Sequence, residues 1–120
     1  MKKKPVYFRI PIIGVEYEVY VCVDTKEKAL KKVNKYFEGY DKTTLEEMNV
    51  RGKTFYNPEL HPFIFINIDI DNLLATVAHE SFHAISYVLK YLGQDISDAE
   101  EVVAQVIGSI VKSVEKEMAK

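Results

Sequence analysis

Hydrophobic and polar positions alternate in different rhythms along the chain, and the rhythms define its elements. Residues 5–13, "PVYFRIPII", and 15–23, "VEYEVYVCV", are β-rich runs separated by Gly14. In the second, Val15, Tyr17 and Val19 take one side while Glu16 and Glu18 take the other, the period-2 pattern of a half-buried strand. We read a hairpin or two sequential antiparallel strands, with Pro11 marking an edge or a bend. The period then changes. Ala29, Leu30, Val33, Tyr36 and Phe37 form a stripe at helical spacing, in a helix capped by Asp24 or Thr25 and closed by Gly39. Lys28, Lys31, Lys32 and Lys35 fill its other side, as expected of a solvated face.

"YDKTTLEEMNV" is polar and reads as a loop. "RGKTFY" and "PFIFINID" are two further strands joined by the turn-like "NPELH". The second leads into a helix capped by Asp69 or Asp71, reaching about Leu92 and stopped by Gly93. "QDISDAE" supplies a fresh cap at Ser97 or Asp98 for a last helix running to about Met118. The predicted fold is α+β in the order β-β-α-β-β-α-α: a small antiparallel or mixed sheet of about four strands packed against three helices.

Composition narrows the class. A chain of 120 residues with 48% hydrophobic and 28% charged positions suits one domain with one core. A net charge of −2 gives no field toward nucleic acid or anionic lipid. No segment reads as a signal peptide or a membrane span, and the single cysteine, Cys22, has no disulfide partner within the chain. The expectation is a cytoplasmic protein with no nucleic-acid or membrane partner, and Cys22 is read as a small buried hydrophobe.

The chemistry concentrates in "TVAHESFHAISYVLKYL". His79 and His83 are four apart, so a helix sets them nearly one above the other, where each can offer a nitrogen to the same zinc ion. Glu80 projects from the same turn, offset to one side, where it can reach a water beside that ion. Two metal ligands and one general base on a turn and a half of helix is the HExxH logic. A catalytic zinc needs a third protein ligand. The remaining histidine, His61, stands beside prolines in a turn and reads as a turn residue. The acids downstream are Asp95, Asp98, Glu100 and Glu101. In the last helix Val103, Val106, Ile107, Ile110 and Val114 define the apolar face, while Glu101 lines up with Ala104, Gln105 and Gly108 on the other. Small residues there would let this helix approach the histidine helix closely, with Gln105 available to hydrogen-bond around the metal. Glu100, nearer the stripe, could also turn inward, and periodicity leaves the two acids unresolved.

His79-Glu80-x-x-His83 followed eighteen residues later by Glu101 resembles the gluzincin arrangement of zinc metallopeptidases, in which a glutamate on the next helix is the third ligand. "EEVVAQVIGSI" also resembles small phage and prophage proteins that carry an HExxH helix. In these a Glu-x-x-Ala-(aromatic) stretch with a glycine one turn later follows the motif. Matching Ala104 and Gly108 to that pattern selects Glu101, with Gln105 where an aromatic is frequent. The likeness covers about residues 62–112 and extends to minimal single-domain gluzincins. It implies a zincin-like domain over residues 1–120, Zn2+ held by His79, His83 and Glu101, and hydrolysis of a peptide or protein substrate by a zinc-activated water with Glu80 as general base. "PFIFINI" could then be an exposed sheet edge that pairs with substrate, although Phe63 and Phe65 suit a core equally. Tyr87, one turn beyond His83, is a candidate oxyanion donor or a packing residue. The other reading is a catalytically weak zinc-binding protein acting as a phage-encoded or host-regulatory interaction module.

Overall fold

The computed structural model describes residues 3–12 and 15–120, so the expected break at Gly14 lies outside the described residues. The strands are β1 (Val6–Pro11), β2 (Glu18–Asp24), β3 (Gly52–Phe55) and β4 (Phe63–Asn67), and the helices are α1 (Lys26–Tyr36), α2 (Leu73–Tyr91) and α3 (Glu100–Met118). The α+β class and the β-β-α-β-β-α-α order are as the sequence predicts, with short 3-10 turns at Glu46–Met48 and Ile96–Ala99 added between elements.

The sheet is mixed, in the order β1-β2-β4-β3. β1 and β2 pair antiparallel from Val6↔Val23 to Pro11↔Glu18, β2 and β4 pair parallel, and β3 and β4 pair antiparallel. This corrects one expectation: the "PFIFINI" strand is interior, and the edges of the sheet are β1 and β3. Its composition gives the reason. Phe63, Ile64, Phe65 and Ile66 are all fully buried, because an interior strand covered on both faces needs a continuous apolar run.

The two faces of the sheet bury different sets. Val19, Val21, Val23, Ile64 and Ile66 pack under α2 and α3, against residues such as Val77, Ile85, Val106 and Ile110. Cys22, Phe63 and Phe65 face α1 and meet Ala29, Val33 and Met48. Cys22 is fully buried, as expected, and burial pushes its thiol up to about 12.

The helix ends show which polar groups are already engaged. Thr25 caps α1 through its hydroxyl, while the Asp24 carboxylate accepts from Thr25 N–H at 2.8 Å and from Lys32 Nζ at 3.2 Å. Gly39 and Gly93 take positive φ angles of 95° and 76° just past α1 and α2. The caps expected from Asp69 or Asp71 and from Ser97 or Asp98 are not the ones formed. Asn72 enters α2 in the left-handed conformation, φ 54°, with no side-chain cap, a conformation asparagine tolerates. The Asp71 carboxylate lies 3.7 Å from the Arg51 guanidinium, which also donates to the Asp71 carbonyl at 2.6 Å. At the last helix, Asp95 caps the 3-10 turn by accepting from Ser97 N–H and from the Ser97 hydroxyl. Those two bonds hold the Asp95 carboxyl below its ordinary range and engage the hydroxyl that would have capped α3.

Candidate metal centre

α2 lies across the sheet with Val77, Ser81, Ala84, Ile85 and Val88 turned inward. Its next strip along the surface carries the histidines. His79 and His83 are exposed, and their Nε2 atoms face each other 3.1 Å apart, with the rings nearly perpendicular at 82°. Two ligands on one tetrahedral zinc, each about 2.0–2.1 Å from it, stand roughly 3.3 Å apart. The pair is therefore set at the spacing a shared ion requires. Glu80 completes the only group of three or more potential metal ligands among the described residues, its ligand atoms lying within 4.8 Å of the others.

Glu80 is held differently from the histidines. It is only 7% exposed, on the side of α2 that meets β3. The Thr54 hydroxyl lies 2.8 Å from Glu80 Oε1 and 2.9 Å from the Glu80 carbonyl. This contact fixes the carboxylate, leaving Oε2 3.9 Å from His79 Nε2. Gly52 makes the approach possible: a Cβ there would lie 2.9 Å from Thr76 Cγ2, 3.0 Å from the Phe65 carbonyl oxygen and 3.1 Å from Glu80 Cγ. Thr54 and Gly52 escape a reading of the sequence because their role depends on β3 lying over α2. The traces they leave are a glycine and a threonine two apart in an otherwise unremarked strand.

β3 also presents a backbone edge beside this centre. Asn67 N–H donates to the Arg51 carbonyl at 2.9 Å, and Lys53 pairs with Phe65. Antiparallel alternation then turns the backbone groups of Gly52 and Thr54 outward, away from β4. Tyr56 continues the line two residues on and stacks on Tyr87, centroids 3.9 Å apart and planes 19° from parallel. The ring of Tyr87 thus packs against Tyr56, and burial raises its hydroxyl's pKa. Two grooves flank the histidines. One of about 570 Å³ runs past Gly52, Asn72, Thr76, His79 and Glu80. The other, of about 820 Å³, runs from His83 along Ser86, Tyr87 and Tyr91.

Glu101 is not among the potential ligands that close on His79 and His83. Val103, Val106, Ile110 and Val114 are the buried positions of α3. Packing that stripe inward leaves Glu100, Glu101, Ala104, Gln105 and Gly108 exposed. A Cβ on Gly108 would meet nothing within 4 Å. The small-residue side expected to approach α2, Gln105 included, is therefore exposed. His61 is a turn residue, as read: its Nδ1 accepts from Glu18 N–H at 3.0 Å, and its backbone N–H and carbonyl both bond the Tyr36 hydroxyl. No helix among the described residues is long and apolar enough to cross a membrane. No family model, curated protein or solved structure matches the chain.

Proposed function

We propose that the chain is a zinc-dependent metallopeptidase-like protein, with His79 and His83 as metal ligands and Glu80 as the proton-carrying residue. The observation that carries this reading is the meeting of two exposed imidazole Nε2 atoms at 3.1 Å beside a carboxylate that Thr54 holds in place. When bound there, zinc would acidify water and polarise a carbonyl. Glu80 Oε2 accepts the proton of the attacking water and returns it to the leaving amine. Its burial and the Thr54 hydroxyl hold that carboxylate in one place. The outward backbone groups of Gly52 and Thr54 offer an extended peptide two positions for strand pairing. Glu101 enters as third ligand through the family resemblance alone.

The test begins with metal content. One zinc per chain, lost in either His79→Ala or His83→Ala, is the expected result. No zinc recovered after its addition to the wild type would sink the reading. Glu80→Gln should keep the metal and abolish proteolysis. Glu101→Ala should weaken zinc binding far more than Glu100→Ala, and equal small losses remove Glu101 from the centre.

A second reading has its own support in the exposed position of Glu101 and the closeness of Glu80 to the histidines. If Glu80 is itself the third ligand, no base remains, and the chain is a zinc-binding interaction module acting on a phage or host component. Glu80→Gln then loses zinc instead of retaining it.

A further inference from the structure

The groove beyond His83 has features that the metal centre alone does not explain. It is continuous with the centre, since His83 forms part of its wall. Tyr56, Tyr87 and Tyr91 contribute three rings in near-parallel orientation, with Tyr87 and Tyr91 6.5 Å apart and 15° from parallel. Tyr56 and Tyr91 are each more than half exposed, at 53% and 54%. Ser86 lies between His83 and Tyr87 in sequence, and its Oγ is buried with no hydrogen-bond partner. The contrast with Ser81 is direct, because that hydroxyl donates to the Val77 carbonyl at 2.7 Å. A buried hydroxyl without a partner is costly, and a bound group could supply the missing hydrogen bond.

We propose that this groove is a side-chain subsite selecting an aromatic residue, with tyrosine preferred through Ser86, in an extended peptide aligned along the free edge of β3; the inference rests on the peptide-directed reading above. Gly52, Thr54 and Tyr56 lie two apart on one side of the chain. A strand paired at Gly52 and Thr54 therefore arrives at Tyr56, and alternate side chains of that strand point toward α2. An incoming ring finds near-parallel tyrosine faces on which offset stacking is favourable. The volume of about 820 Å³ is in the range of ligand clefts. The charges lining it argue against a nucleic-acid base as occupant: Lys90 and Asp95 are one of each sign, without the cationic excess that a phosphate backbone requires.

The experiment uses the full chain carrying Glu80→Gln, so that no peptide is cut, with and without one equivalent of zinc. Two sets of probes are compared: N-acetyl amides of phenylalanine, tyrosine and alanine, and blocked heptapeptides with Phe, Tyr or Ala at the centre. Amide chemical shifts report the location of binding, and titration reports affinity. The aromatic amides should move signals of residues 83–91 and Tyr56 while the alanine amide does not. The Phe heptapeptide should bind roughly tenfold more tightly than the Ala heptapeptide, and the Tyr heptapeptide more tightly again. Tyr56→Ala and Tyr91→Ala should each reduce the aromatic preference, and Ser86→Ala should remove only the advantage of Tyr over Phe.

Equal binding of Phe and Ala heptapeptides, or a preference that survives both tyrosine variants, overturns the subsite and leaves the peptide-directed reading intact. Docking of the aromatic amides with no gain from flanking residues overturns the peptide-directed reading, and the subsite with it. An unchanged Tyr-over-Phe advantage in Ser86→Ala overturns the role of that hydroxyl.

Discussion

The three histidines occupy two corners of the molecule, and the corners treat the same side chain in opposite ways. At the His61 corner the ring Nδ1 and both backbone groups are engaged. Nδ1 takes the Glu18 N–H, the Tyr36 hydroxyl bridges the backbone N–H and carbonyl, and Tyr17 meets the ring edge-on at 5.7 Å. At the other corner His79 and His83 are exposed; their Nε2 atoms meet each other, and Glu80 Oε2 lies 3.9 Å from His79 Nε2. Satisfied hydrogen bonds around a histidine are what a structural role requires. Two ring nitrogens brought together at an exposed surface add little to folding and are available for a ligand. The two corners therefore divide stability from chemistry, and that division can be tested.

The largest effect should come from Phe63, fully buried and central to the His61 side, where it meets the rings of Tyr7, Tyr20, Tyr36, Phe37 and Phe55. Phe63→Ala should lower unfolding free energy by about 3–5 kcal/mol, measured by urea denaturation without metal. Zinc affinity per folded molecule should be unchanged. His83→Ala should show the reverse: a loss of roughly 100-fold or more in zinc affinity, since removing a ligand exceeds the 10–100-fold typical of groups around one. Metal-free stability should move by no more than about 0.5 kcal/mol, as for other exposed substitutions. A His83→Ala protein that is strongly destabilised without metal would mean that the pair is structural, and the division fails.

How much of this was legible depends on whether the geometry is local. The His79–His83 pairing was readable because positions four apart on a helix are neighbours whatever surrounds them. The same periodicity marked Val103, Val106, Ile110 and Val114 as the buried stripe of α3. It does not say what the opposite side of α3 faces, and Ala104, Gln105 and Gly108, expected against α2, are exposed. The placement of β3 was equally hidden, because strand order is set by crossovers far apart in sequence. The interior position of β4 did leave a trace in the uninterrupted "FIFI", the pattern of a strand buried on both faces. Asn72 escaped because a left-handed helix entry has no side-chain cap for a motif to announce.

Smaller effects sharpen the comparison further. Replacing His61 with alanine removes the acceptor for Glu18 N–H at the start of β2. The part-buried donor left behind should cost about 1–3 kcal/mol, read as a lower urea midpoint with zinc binding intact. Thr54→Val should act at the other corner alone. It keeps the shape of the side chain but removes the hydroxyl beside Glu80 Oε1, so proteolysis should fall by roughly 10-fold or more while zinc stays bound. If Thr54→Val and wild type cut peptides equally, Glu80 does not depend on the edge strand for its orientation.

The smallest effect separates the corners by pH. Burial pushes the Tyr36 hydroxyl up to about 12, even though the His61 backbone N–H, which donates to its oxygen, acts in the opposite direction. An unfolded chain releases that proton near its ordinary value of 10.0, so above it the unfolded state binds fewer protons than the folded one. By linkage, the contribution of Tyr36 is fully present below pH 10 and declines as pH rises toward 12. Other tyrosines titrate in this range, and burial also raises Tyr7 and Tyr87, so the wild-type slope alone does not isolate Tyr36. Comparison with Tyr36→Phe does. That variant should start less stable, having lost a hydroxyl that both donates to and accepts from His61, and then lose stability less steeply between pH 10 and 11.5. Parallel slopes for the two proteins would mean that the hydroxyl titrates as in water and that the His61 corner is open to solvent. The division between a hydrogen-bonded structural corner and an exposed chemical one would then lose its physical basis.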